Sequence, residues 1–316
     1  MKHTFKMLVG AFALTMMTAE ALAANWSPPG PIKMLIAFRA GGGADTQARL
    51  IAEALESKMG WKFIPEQVTG KGGVNMLNAL SKQPNDGTAI GMAVTESLGY
   101  NLATSKSRLK ASDFTGLSTT AGFQLGIIGR TKDGWKSMRD VIAAAKAGKQ
   151  IRLGTMSPRL ADLTYLLEKA NGVKFNIVSY RGGIAVLNAI NAGDVDVGYV
   201  AGPQAKGVKA GDLVELASAL SKPLNATPSA PKLSDLGVNF NADGQFVFVG
   251  PGGMPAAAQA ALGNAIAGVV NDPNQKVAKI IKRIFGGAIT IKGKKLDAHL
   301  QQGYDDAGKL AKAVSQ

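Results

Sequence analysis

The run Arg39-Ala-Gly-Gly-Gly-Ala-Asp45 offers chemistry of one kind, the holding of an anion. Backbone N–H groups freed in a Gly41-Gly42-Gly43 loop, and in the first turn of a following helix, point beyond the end of the preceding strand. Several donors and the positive end of the helix dipole would stabilise a carboxylate or phosphate there. A plain strand-to-helix turn is the simpler reading of the same loop. Ala48, Ile51, Ala52, Leu55 and Met59 recur at helical spacing and predict the helix itself, with Asp45 or Thr46 as its cap.

Residue types for covalent or acid–base chemistry are scarce. The chain has two histidines, His3 and His299, so a catalytic triad or a multi-histidine metal site has almost nothing to draw on, and the absence of cysteine excludes a thiolate site and structural disulfides. His299 lies in a helical pattern with Leu296, Leu300 and Tyr304 and reads as a surface residue. Acidic residues are mostly scattered singly along helix faces rather than grouped as the cleft pair that carboxylate catalysis needs. Neither an enzyme nor a cofactor or metal site is expected.

The strand–loop–helix unit recurs. Ala89 to Val94 reads as a strand running into Thr95-Glu96-Ser97, and Gly70-Lys71-Gly72-Gly73 opens a short helix from Val74 to about Lys82. Ile151 to Leu153 leads into Gly154-Thr155-Met156-Ser157, with Pro158 as the first residue of a helix carrying Leu160, Leu163, Leu166 and Leu167. Phe175 to Val178 is followed by Ser179-Tyr180-Arg181-Gly182-Gly183 and a helix from Ile184 to Ile190, then Val195 to Val200 forms a strand ending in Ala201-Gly202-Pro203. Strands alternating with helices imply parallel sheets covered on both faces, and about 293 residues after the leader exceed one such core, so two α/β domains are expected. Ligands of open sheets lie beyond the carboxyl ends of the strands, so loops 39–46, 95–97, 154–158, 179–183 and 201–204 should line one cleft. Crossings between domains are placed near 122–124 and 245–248. Phe38, Tyr100, Phe123 and Tyr199 can face cleft or core, with core the expectation for the phenylalanines.

Residues 1–23 read as a secretory signal: Lys2 and Lys6 precede an apolar run from Met7 to Thr18, and Ala21-Leu22-Ala23 is a small-x-small cleavage pattern. The run is shorter than the roughly 20 residues of a spanning helix. A periplasmic protein beginning at Ala24 is expected. Loss of Lys2, Lys6 and Glu20 takes the formal charge from +14 to +13, which favours anionic partners. The basic residues do not suggest nucleic acid: aromatics are 6% of the chain, and the densest cluster, Lys276 to Lys295, reads as one solvated face of an amphipathic helix followed by a strand.

Taken in order, Ile36-Ala-Phe-Arg-Ala-Gly-Gly-Gly-Ala-Asp45, Gly70-Lys-Gly-Gly-Val-Asn75, Pro84-Asn-Asp-Gly-Thr88, Tyr180-Arg-Gly-Gly183, Asn191-Ala-Gly-Asp-Val-Asp196 and Gly250-Pro-Gly-Gly-Met-Pro255 resemble the tripartite tricarboxylate transporter receptors, the Bug-type periplasmic solute-binding proteins. The likeness runs through nearly the whole chain after the leader. It implies a periplasmic binding protein type II-like fold: two Rossmann-like α/β domains, a ligand cleft between them and two hinge crossings, closing like a Venus flytrap. The domains would be 24–122 with 248–316, and 123–247. The implied function is capture of a small di-, tri- or aromatic carboxylate for delivery to the permease subunits of a tripartite transporter. Docking of the closed receptor on a sensor ectodomain is an alternative from signalling, and a secreted hydrolytic enzyme on the same framework is a third. A monomer without nucleic-acid partners is expected.

The resemblance places ligand contacts in Ala40, Gly41, Gly42, Gly43 and Asp45 and in the facing loop Gly154, Thr155 and Ser157. Thr95, Ser97, Tyr180 and Arg181 belong to the other loops of the cleft. Asp45 has the wrong sign for a carboxylate and reads as a loop organiser; Thr155 and Ser157 either donate to ligand or cap the next helix. Two residues depart from the family pattern: Arg39 stands where a proline or small residue is usual, and Pro158-Arg159 continues a loop usually rich in glycine and serine. Either Arg39 or Arg159 suits a bidentate clamp on a second carboxylate, with Arg39 expected to serve and Arg159 to point outward.

Overall fold

Each expected strand–glycine–helix unit forms. The computed structural model describes residues 26–315, so the signal segment expected at 1–23 lies outside the described residues. A first lobe begins with β1 (Ile32–Ile36), α1 (Gly43–Met59), β2 (Phe63–Gln67), α2 (Val74–Leu80), β3 (Ala89–Val94) and β4 (Phe114–Gly122). The second lobe holds β5 (Leu125–Arg130), α3 (Met138–Lys146), β6 (Ile151–Thr155), α4 (Pro158–Asn171), β7 (Phe175–Ser179), α5 (Gly183–Ala192), β8 (Val197–Ala201), α6 (Ala205–Ala210) and β9 (Leu213–Ser218). The chain returns through 219–244 to β10 (Gln245–Pro251), α7 (Ala256–Asn271), α8 (Lys276–Phe285), α9 (Gly293–Asp305) and α10 (Ala307–Ser315).

The two sheets share one plan, with orders β2-β1-β3-β10-β4 and β7-β6-β8-β5-β9. They are mixed rather than parallel as expected. The fourth strand of each is the one that arrives from the other lobe, and it runs antiparallel to both neighbours. Phe123 and Gln124 alone link β4 of the first sheet to β5 of the second, which lies antiparallel between β8 and β9. The crossings lie side by side: Gln245 is in register with Gly122, and the Phe123 N–H donates to the Gly244 carbonyl at 3.1 Å. The carboxyl-terminal helix adds a third link, because α10 packs on α4 of the second lobe.

Local chemistry explains the helix starts. α1 begins at Gly43, two residues before the expected cap, with Gly42 in extended conformation as the N-cap. Asp45 therefore sits in the first turn and reaches back to accept the Gly41 N–H at 3.0 Å. At α4 Ser157 is the cap, its Oγ accepting from the Leu160 N–H at 3.4 Å, and Pro158 follows at the position where its missing N–H costs nothing. Ala48, Ile51, Ala52 and Leu55 are buried against the first sheet, while Met59 remains exposed at the helix end. Full burial of a side chain the size of Ile51 contributes about 1.5–3 kcal/mol. The strand expected after α8 does not form: residues near Ala288 and Lys292 make isolated bridges to β4, and the Thr119 N–H donates to the Ile291 carbonyl at 3.0 Å. Tyr199 is fully buried, as a core residue would be, whereas Phe38 and Phe123 turn toward the space between the lobes.

Candidate functional site

The loops at the carboxyl ends of β1, β3, β6 and β8, with the start of α5, meet in an interlobe cavity of about 60 Å³. From the first lobe come Phe38, Arg39, Gly42, Gly43, Ala44, Val94 and Glu96; from the second come Met156, Ser157, Gly183, Ile184, Ala201 and Pro203. The strands that follow the crossings close its base through Leu125 and Phe246, beside Phe123. The rings of Phe123 and Phe246 stand 5.2 Å apart edge to face, and Phe246 meets Phe285 in the same manner at 5.1 Å. The wall is therefore mostly apolar, which strengthens any hydrogen bond made within it.

Polar capture in this cavity comes from backbone. At α1, the Gly42 N–H donates to the Arg39 carbonyl and the Thr46 N–H to the Gly42 carbonyl, while the amides of Gly43 and Ala44 have no acceptor among the described residues. At α5, Ala185 and Val186 both donate to the Gly182 carbonyl, at 3.0 and 3.3 Å, and the amides of Gly183 and Ile184 are likewise without an acceptor among the described residues. Two helix N-termini, one from each lobe, thus bring free donors and the positive ends of their dipoles to one cavity. The N-terminus of α4 differs. Pro158 has no N–H, Arg159 donates its N–H to Asn101 Oδ1 at 3.4 Å, and Leu160 and Ala161 close on Ser157.

Little room for a side chain is left where the lobes approach. A Cβ on Gly43 would lie 3.1 Å from the ring tips of Phe246 and Phe285 and 3.4 Å from the Ala201 carbonyl oxygen of the opposite lobe. At Gly72, held at φ +60°, an added Cβ would lie against the Asn101 amide and 3.1 Å from the Ser157 Cβ.

Of the residues read from sequence, Arg39, Gly42, Gly43 and Ser157 line the cavity. Ala40 and Gly41 are exposed beside it. Asp45 is buried beneath the loop, where Oδ1 accepts from Arg49 Nε at 2.8 Å and Gln67 Nε2 at 2.5 Å and Oδ2 from the Gly41 N–H; it organises the loop from behind. Thr95 Oγ1 accepts from the Gln245 N–H at 3.1 Å, and Ser97 Oγ donates to the Gly72 carbonyl at 2.7 Å. Gly154 and Thr155 are the last residues of β6, with Thr155 Oγ1 buried and unpartnered. Arg159 borders an adjoining groove of about 420 Å³, its Nη2 donating to the Asn241 carbonyl at 2.7 Å. Tyr180 donates its N–H to the Thr155 carbonyl at 2.8 Å, and Arg181 is exposed.

Glu96 and Met156 lie in the 95–97 and 154–158 loops that the sequence placed at the cleft, though neither was singled out as a site residue, and Phe123 was left between cleft and core. Ile184 and Phe246 were not read as wall residues. Both phenylalanines lie within the expected crossings, and Ile184 follows the Gly182-Gly183 pair of the recurrent unit.

The lobes are also tied across the cleft. Tyr100 Oη donates to Asp162 Oδ2 at 2.6 Å, linking the segment after β3 to α4. Burial first, and then the Asp162 carboxylate, push the Tyr100 phenol well above its ordinary value, so it remains a donor throughout the accessible pH range. Away from the cleft, Asp196 is held below the usual carboxylate value: burial opposes its ionisation, but the bonds from the Arg152 side chain and backbone outweigh it. Among the described residues no group of three or more His, Asp or Glu side chains could hold a metal ion, and no helix is long and apolar enough to cross a membrane. His299 is exposed, its Nε2 paired with Gln245 Oε1 at 3.0 Å.

The architecture has counterparts among known proteins. The R. palustris protein Rpa4515, solved with adipate, superposes with a TM-score of 0.78 at 21% identity over 91% of this chain and 98% of that one. MatC from Rhodopseudomonas palustris, solved with bound malate, gives 0.76 at 18% identity over 90% and 99%. In sequence, protein BugT of Bordetella pertussis is 26% identical over 265 residues, 78% of each chain. The family model described as the tripartite tricarboxylate transporter family receptor matches residues 47–283, from within α1 to within α8, and so spans parts of both lobes and the cavity loops after the 39–46 loop. This chain therefore belongs to the tripartite tricarboxylate transporter receptors, a family of solute-binding receptors rather than enzymes.

Proposed function

We infer that this protein is an extracytoplasmic receptor that closes its two lobes on a small carboxylate and presents it to the membrane subunits of a tripartite transporter. The carrying observation is the pair of free helix N-termini, α1 and α5, facing one apolar cavity from opposite lobes. An anion bound between them is contacted by both sets of amides only when the lobes are together, so its binding energy shifts the population toward the closed form. The adipate and malate held by two structural relatives support a carboxylate as the solute. Arg39, lining the cavity near its exposed side, is the side chain that would add charge to the backbone cradle. The closing bodies follow the boundaries expected from the sequence, 24–122 with 248–316 and 123–247, except that the pairing of β10 with β3 and β4 puts Gln245 to Val247 with the first body. The mature protein is periplasmic, monomeric and begins at Ala24.

The test is a thermal-shift screen of residues 24–316 against di-, tri- and aromatic carboxylates, with sugars and neutral amides as controls. A carboxylate at about 100 times its dissociation constant stabilises the fold by about 2.7 kcal/mol, a rise of several degrees. A response to carboxylates that is weakened in Arg39→Ala supports this reading. Stabilisation by neutral solutes alone overturns it.

A further inference from the structure

One carboxylate in the cavity wall has no role in holding an anion. Glu96 follows β3, is 6% exposed and borders both the interlobe cavity and the adjoining groove. Its Oε1 accepts from Asn101 Nδ2 at 2.9 Å, and its Oε2 receives no donor among the described residues. Its nearest polar neighbours are committed elsewhere: Thr95 Oγ1 to the Gln245 N–H, Ser97 Oγ to the Gly72 carbonyl, and Asn101 Oδ1 to the Arg159 N–H. No ion pair among the described residues includes Glu96.

The Glu96 side chain is largely buried beside Phe38, Val94, Phe123 and Phe246 and makes no ion pair, while its unbonded oxygen keeps contact with the open cavity and groove, where a ligand donor can replace water. Asn101 holds the group in place, and Asn101 is itself anchored by the Gly72 carbonyl at 3.2 Å. The free oxygen is therefore a fixed acceptor at a site whose other polar groups are backbone amides, the Ser157 hydroxyl and, at the exposed side, the Arg39 guanidinium. A plain dicarboxylate would set its second carboxylate against a like charge.

We propose that Glu96 is a ligand contact that sets specificity, accepting an ammonium group from a carboxylate whose acid end sits on the amides of α1 and α5. The preferred solute class is then a small amino-carboxylate with an apolar body rather than a di- or tricarboxylate. This rests on the reading of the cleft as a carboxylate site and narrows it.

The experiment measures binding by isothermal titration for two matched pairs, 4-aminobutanoate against glutarate and 4-(aminomethyl)benzoate against terephthalate. Wild-type protein, Glu96→Gln and Glu96→Asp are compared. The ratio of affinities within a pair is read in one protein sample, so a general loss of stability does not move it. The wild type should favour an amino member, and Glu96→Gln should weaken that member by about 10- to 100-fold while leaving the diacid unchanged or tighter. Glu96→Asp, which keeps the charge, should retain part of the preference, and it carries the test if Glu96→Gln fails to fold. A wild type that prefers the diacids, or a preference that survives in Glu96→Gln, overturns the role of Glu96 and leaves the carboxylate site standing. Failure of all four probes while other carboxylates bind also overturns it, and failure of every carboxylate sinks the underlying site.

Discussion

Replacing Tyr100 with phenylalanine tests whether the lobes are held by the bond they share across the cleft. The hydroxyl donates to Asp162 Oδ2 at 2.6 Å, and the ring is buried on the first lobe while its acceptor belongs to α4 of the second. A hydrogen bond to a charged group contributes about 1.5–3 kcal/mol, and the lower end applies because Asp162 is only half-buried and is rehydrated when the lobes part. In an open form both groups bind water, so the loss falls on the closed form alone. At about 1.5 kcal/mol the closed-to-open ratio drops by about tenfold, and the dissociation constant of a ligand that needs closure rises by a similar factor. Titration calorimetry with a carboxylate identified in the screen reads that rise, stopped-flow kinetics should assign it mainly to faster release, and small-angle scattering of the ligand-free variant should show a larger radius of gyration. Tyr100→Phe protein with affinity within twofold of wild type and an unchanged radius would refute the idea that this bond stabilises closure.

Further substitutions probe the loop and its supports. Gly43→Ala places a methyl group 3.1 Å from two phenylalanine rings and 3.4 Å from the Ala201 carbonyl oxygen, and overpacking of about 1–3 kcal/mol should weaken ligand binding more than it lowers the melting temperature of the free protein. Asp45→Ala removes the acceptor of three donors beneath the loop; denaturant titration should show a loss of about 2–3 kcal/mol, with Asp45→Asn retaining roughly half. Asp196 stays ionised below the usual carboxylate range, so its contribution is present above its ordinary pKa and disappears as pH falls through the lower folded value. The stability difference between wild type and Asp196→Asn should therefore be largest near neutral pH and shrink on acidification below about pH 4, as measured by urea unfolding across a pH series. An undiminished difference at the acid end would show that the Arg152 pairing is not its source.

The sequence by itself determined the recurring strand–glycine–helix units and the turns within them, but not β2, β4, β5 or β9, and the strand read after α8 does not form. Those signals are local: a 3.6-residue period along Ala48 to Leu55, proline at the start of α4, and a Gly182-Gly183 pair before α5 act through the backbone of their own few residues. Tertiary structure decided what the turns became. Both the 39–46 and 154–158 loops read alike as donors, yet Asn101, more than fifty residues away, takes an amide at α4, while those of α1 and α5 stay free. The antiparallel placing of β5 and β10, the turn of Phe38 and Phe123 toward the cleft, and the placing of Glu96 in an apolar wall likewise depend on partners far away in the chain. A residue's secondary structure follows largely from its near neighbours, but whether a donor or a carboxylate is satisfied depends on whatever the fold brings within about 3 Å of it, however distant in the chain.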